Sequence, residues 1–163
     1  MRDTATRSLR AGRATAPGGA GAGVWCHDGA ADVGHRAAME VPPDPEYLAD
    51  ARRFAERAIE GSGLDDRSRY ELVVAVHEAV VNAMEHGSAS GQHVRITSCR
   101  DRRGLSFTVA DRGRDFALKP STEPDLESRG RGLTLMFHAV DDISQHPHRD
   151  GKEIRMTKWL PRD

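Results

Sequence analysis

The segment "DDRSRYELVVAVHEAVVNAMEHG", residues 65 to 87, constrains the fold more than any other part of the chain. Leu72, Val76, Ala79, Val80 and Ala83 recur at helical spacing, so one face of a helix is apolar and must rest on a core. Asp65 or Asp66 opens this helix, His86 is its last residue and Gly87 is its stop. The adjoining face is unusual. Glu78, Asn82 and Glu85 fall at i, i+4 and i+7 and share one side, with His86 beside them. That stripe is either a solvated outer face or a row of oxygen ligands next to a core.

The remaining segments say what the helix rests on. In "PDPEYLADARRFAERAIEGSG", Asp44 is placed to cap a helix and Pro45 to occupy its first position. Leu48, Ala51, Phe54, Ala55, Ala58 and Ile59 keep helical spacing, and Gly61 ends the run. "HVRITS" (93–98) and "LSFTVA" (105–110) alternate and are rich in β-branched residues, which predicts an antiparallel hairpin. Residues 117–129, with Pro120 and Pro124, read as a loop. "GRGLTLMFHAVDD" opens a third helix at Gly132, and "DISQHP" with "KEIRMTKWL" closes the chain as a second hairpin. Two helices, a hairpin, a helix and a hairpin make an α/β two-layer sandwich with helices on one sheet face.

Residues 1–38 lack apolar periodicity and are dense in Arg, Ala and Gly, which predicts a disordered tail before a domain at 39–163. Only three of the 24 basic residues are lysine, a bias that points to a GC-rich bacterial coding sequence. The net charge of −1 creates no field that would draw nucleic acid. Nothing resembles a signal peptide or a membrane span, so a cytoplasmic protein is expected. Cys26 and Cys99 stand in unrelated contexts and make no framework; Cys99, in a strand-like run, reads as a small buried hydrophobe.

The polar stripe suits phosphoryl chemistry. Magnesium keeps most of its waters and takes one or two protein oxygens, which Asn82 could supply. Glu78, one turn earlier, could accept a proton from an attacking hydroxyl. Asp111, where an apolar strand ends, could accept a hydrogen bond from an exocyclic amine, and Gly113 would let a flat base come close. The glycines of "RGRGL" stand at a helix opening, where free N–H groups and the helix dipole favour phosphate. Each of these signals alone is weak, and their order along the chain is what carries weight.

Together the three segments resemble the N, G1 and G2 boxes of the GHKL, or Bergerat-fold, ATPase superfamily. Within it they are most similar to the anti-sigma-factor serine kinases. "LVVAVHEAVVNAMEHG" matches the first box at Glu78, Asn82, Ala83, His86 and Gly87. "VADRGRDF" matches the second at Asp111, Gly113 and Phe116, and "GRGLTLMFHAVDD" the third from Gly130 to Met136. The resemblance implies a mixed, mostly antiparallel sheet and an ATP site. In that site Glu78 is the catalytic base, Asn82 the magnesium ligand and Asp111 the adenine-amine acceptor. His86, Gly113, Gly130, Arg131, Gly132 and Leu133 would complete the nucleotide contacts, with residues 114–129 as a lid. It also implies two protein partners: a sigma factor held inactive, and a STAS-type anti-anti-sigma protein phosphorylated on serine. A homodimer is implied as well.

The chain departs from the family pattern at three places, one of them a lid that lacks a further glycine before Ser128, Arg129 and Gly130. Asp115 stands where the second glycine of the G1 box is usual, which keeps open a catalytically weak or inactive module acting only by partner binding. A detached histidine-phosphorylating domain or a simple ATPase is a further alternative, although no helix carrying an acceptor histidine precedes Pro42. The usual first strand is also hard to find, since "EVPPDP" is brief and broken by proline.

Overall fold

The computed structural model describes residues 35–87, 92–113, 128–148 and 151–161. Five strands form one sheet: β1 (Arg36–Val41), β2 (Val94–Arg100), β3 (Gly104–Asp111), β4 (Asp142–His148) and β5 (Gly151–Trp159). Their spatial order is β1-β2-β3-β5-β4, and every pairing among the described residues is antiparallel rather than mixed. Three helices, α1 (Leu48–Ile59), α2 (Asp66–Asn82) and α3 (Ser128–Ala139), pack with the sheet. No helix among the described residues is long and apolar enough to cross a membrane.

Period-two alternation builds the sheet side of the core. Leu105, Phe107 and Val109 of β3 face inward with Val94 and Ile96 of β2 and Ile154 and Met156 of β5. Helical spacing builds the other side. Leu72, Val76, Ala79, Val80 and Ala83 are buried, as are Ala51, Ala55 and Ile59 of α1. Phe107 is the largest fully buried side chain, and Phe54 meets it edge to face at 6.5 Å between ring centres. Lys158 of β5 then ties the layers, donating to Glu71 of α2 at 3.2 Å and to the Ala139 carbonyl at the end of α3 at 3.1 Å.

Several expectations need correcting. The sheet's first strand lies in "RAAMEV", so the folded region begins three residues inside the segment assigned to the tail. Only Val41 of that strand is buried; pairing with β2, not an apolar face, makes it a strand. Residues 1–34 lie outside the described residues, as do 114–127 of the expected lid and 149–150 of the second hairpin turn. Asp44 caps a short 3₁₀ turn, Pro45–Tyr47, ahead of α1. The second helix does not stay α-helical to His86: after Asn82 the chain widens into a π-turn, Ala83–Gly87. The third helix starts at Ser128, four residues before Gly132, and takes in the end of the expected lid. Cys99 is buried as expected, but its sulfur is disulfide-bonded rather than a free thiol.

Two stability measurements test this packing. Phe107→Ala should lower the free energy of unfolding in urea by about 3–5 kcal/mol, because it removes the central ring and leaves a cavity; a loss under about 1 kcal/mol would contradict its place in the core. Arg67, and then Lys158, hold the Glu71 carboxyl below its ordinary range. A lowered native value means the stabilisation is complete above the unfolded value of 4.5 and fades as pH falls through the native one. Glu71→Gln should therefore cost stability at neutral pH and flatten the acid side of the stability curve.

Candidate functional site

α2 delivers the first group of candidate residues. Glu78 and Asn82, one helical turn apart, are both half-buried, and among the described residues neither side chain is held in a hydrogen bond or ion pair. The π-turn after Asn82 breaks the helical spacing, so the stripe does not continue through Glu85. That carboxylate is exposed and lies 3.7 Å from the His86 ring instead. π-turns inside helices are rare and concentrate at functional sites, because the extra residue re-aims the chain beyond it.

Here the π-turn re-aims Gly87. Its backbone lies against Asp111 at the end of β3, so closely that a Cβ there would sit 2.2 Å from Asp111 Cγ. Gly113 closes the same corner: a Cβ on it would meet Gly87 Cα at 2.5 Å and the His86 carbonyl oxygen at 2.8 Å. The Gly113 N–H donates to Asp111 Oδ1 at 2.7 Å. His86 thus reaches this corner through its backbone, while its imidazole stays exposed. Gly151, at the start of β5, approaches from another side, where a Cβ would fall 2.0 Å from the Asp111 carbonyl oxygen. Three glycines from three separate stretches of the chain therefore crowd one aspartate, and none of them has room for a side chain.

The Asp111 carboxylate is buried, with the residue only 5% exposed. A bare charge there would be costly, and it is not bare. Lys152, 1% exposed and directly opposite in the β3–β5 register, donates to Asp111 Oδ1 at 2.8 Å. Oδ1 thus receives both of these hydrogen bonds, and Oδ2 accepts none among the described residues.

The third segment meets the first. Gly132 of α3 is buried against α2, where a Cβ would come 2.6 Å from Glu78 Oε2. Because α3 begins at Ser128, Gly130 and Arg131 lie in its first turn, where a helix leaves its N–H groups without an internal partner. Leu133 is partly buried and packs on the core. The end of α2 therefore touches both later motifs, Glu78 on the α3 side and Gly87 on the Asp111 side.

Among the described residues no group of three His, Cys, Asp or Glu side chains could cage a metal. The Asn82 amide, without a partner among the described residues, nonetheless fits magnesium, which needs little from protein when phosphates supply the remaining oxygens. A hollow between α1 and α2, whose lining includes Arg52, Glu56, Glu60, Arg69, Tyr70 and Val73, contains none of these residues.

The sequence reading missed Lys152 and Gly151. The alternation of Lys152 with Ile154 and Met156 was the available signal, because it sets the lysine on the inward face of β5.

Comparison with known proteins is consistent with this arrangement. Residues 41–158 match the model of the family described as "Histidine kinase-like ATPase domain". The chain is 31% identical over 136 residues to the serine-protein kinase RsbW of Oceanobacillus iheyensis, covering 75% of this chain and 85% of that relative. It is 34% identical over 103 residues to the anti-sigma F factor of Bacillus subtilis, covering 55% of this chain and 68% of the relative. Its fold is similar to the crystal structure of the RsbU and RsbW domains of Rv1364c from Mycobacterium tuberculosis, with a TM-score of 0.61 at 18% identity. That match covers 80% of this chain and 34% of the longer one.

The glycine contacts separate two kinds of substitution. Gly151→Ala must displace backbone, so it should cost about 1–3 kcal/mol, read as a lower midpoint in thermal or urea unfolding. Gly132→Ala meets only the far end of the Glu78 side chain, and should unfold within about 1 kcal/mol of the parent, since alanine also favours helix. Equal and large losses in both variants would contradict the placement of Gly132.

Proposed function

The chain belongs to the histidine kinase-like ATPase family, and from that premise we propose that it is an ATP-dependent protein serine kinase and anti-sigma factor. The observation that carries the proposal is the convergence on α2: its carboxylate lies under Gly132, and its terminal Gly87 lies on Asp111. Three motifs far apart in the chain share one short helix end, with unpaired oxygens between them among the described residues.

In this reading the adenine amine donates to Asp111 Oδ2, at the corner that Gly87 and Gly113 close around that carboxylate. The N–H groups of the first turn of α3, including those of Gly130 and Arg131, receive the phosphates, with Gly132 and Leu133 fixing that turn on α2. Asn82 would hold magnesium through its amide oxygen, and the ion would supply positive charge to offset that of the phosphates. Glu78 takes the proton from the serine hydroxyl while that oxygen forms a bond to the γ-phosphorus and the bond to the ADP oxygen breaks. Phosphoryl transfer depends chiefly on positioning and charge, so this small set of groups suffices. The acceptor serine lies on a STAS-type anti-anti-sigma protein, and the chain otherwise binds a sigma factor and keeps it inactive. It works in the cytoplasm as a homodimer, without direct contact to nucleic acid.

Calorimetry with magnesium-ATP tests the site, and phosphate transfer to candidate antagonists tests the reaction. Binding should be in the micromolar range and collapse in Asn82→Ala and Asp111→Asn. Glu78→Gln should keep ATP binding within a few-fold but slow transfer by about 10²–10⁴, the usual weight of a general base. An intact, folded chain that binds no ATP would sink the kinase reading and leave a module that acts only by occupying a partner.

A further inference from the structure

Among the described residues the helices pack on one face of the sheet, that of Ile96, Phe107 and Met156. Register sets the opposite face: Cys99, Ser106 and Thr157 stand side by side, and Thr97, Thr108 and Arg155 form the next row. No described element covers this outer face, and an uncovered sheet face leaves its side chains in water. These side chains are dry. Thr97, Cys99, Ser106 and Thr157 are between 1% and 5% exposed. Arg155 Nη2 is buried too, although an arginine on an open face would carry its guanidinium outward. The Cys99 sulfur is in a disulfide, and the chain holds one other cysteine, Cys26.

The place of Cys99 narrows what covers it. Residues 88–91, 114–127 and 149–150 lead into or out of the sheet near Val94, Asp111 and Gly151, the end away from Cys99. Residues 1–34 enter beside it. The His35 carbonyl accepts from the Arg100 N–H at 3.0 Å, and Arg36 stands opposite Cys99. Nine residues separate Cys26 from Arg36. Such a stretch spans up to about 30 Å when extended, and neighbouring strands lie only about 4.8 Å apart. The chain before β1 therefore has the length to double back over the sheet.

We propose that the segment around Trp25 and Cys26 lies across the outer face of the sheet, latched there by a Cys26–Cys99 disulfide that reduction opens. The inference is independent of the nucleotide site. Closure needs a small-molecule disulfide as oxidant. The Cys26 thiolate attacks it, forming a mixed disulfide and releasing one small thiol; the Cys99 thiolate then displaces the second small thiol, and two electrons have passed to the oxidant. A dithiol reverses both exchanges. In the reducing compartment proposed above, such a bond is a transient sensor rather than a permanent staple.

The test begins with the unmodified full-length chain, oxidised with glutathione disulfide, digested without reductant and weighed by mass spectrometry. The Cys26 peptide should be joined to the Cys99 peptide in monomeric protein. Two free thiols, or Cys99 joined to Cys99 of a second copy, would overturn the proposal. Reduction with dithiothreitol should lower the thermal midpoint by at least about 5 °C, because the bond closes a long loop. It should also let a maleimide label Cys99 in the folded chain. Cys26→Ser in oxidising buffer should match the reduced chain in both readings. A midpoint that reduction leaves unchanged would show that no segment is held. Labelling of Cys99 only after unfolding would show that something else covers the face. Either result also overturns the latch.

Discussion

The contact between Gly87 and Asp111 governs the rest of the site. A helix that crosses a sheet usually ends wherever its apolar face runs out, but α2 ends in a π-turn whose glycine lies against a strand-end carboxylate with no room for a methyl group. That approach fixes how far α2 extends along β3, and hence where Glu78 and Asn82 stand relative to α3. The buried apolar residues Leu72, Val76, Ala79 and Val80 hold the other end of the same relation. Core packing and site geometry are thus one constraint: a shift of α2 that improved one would open a gap in the other, since close-packed interiors do not deform gradually.

Charge is handled in the same economical way. Asp111 is buried at the end of β3, where a lone carboxylate would be costly. Lys152 removes that penalty from within the sheet, one strand away and in register. Gly113 adds a backbone donor to the same oxygen. Glu78 and Asn82 are treated differently: half-exposed, they have no side-chain partner among the described residues.

Much of this was legible in the sequence, for identifiable reasons. Helical spacing in α1 and α2, and alternation in β2, β3 and β5, reflect faces that are buried on one side, and burial is what periodicity records. The three glycine-bearing motifs were legible because they fall in a fixed order between those elements. β1 was not, because it is an edge strand whose residues are mostly exposed; its hydrogen bonds to β2 leave no mark on its composition. The early start of α3 was hidden by Gly130 and Gly132, which lower helix propensity in isolation, although Gly132 lets the helix lie on Glu78 in the fold. Lys152 escaped notice because a lysine is read as solvated unless a partner is in view, and its partner stands 41 residues earlier in the chain.

The most direct test of the ATP site is a structure of the chain with magnesium and a non-hydrolysable ATP analogue. The base edge should lie on Asp111 Oδ2, the metal on the Asn82 amide oxygen, and the Glu78 carboxylate should face the terminal phosphoryl group. A nucleotide seated elsewhere, such as the hollow lined by Arg52, Tyr70 and Val73, with Asp111 still held only by Lys152 and Gly113, would contradict it.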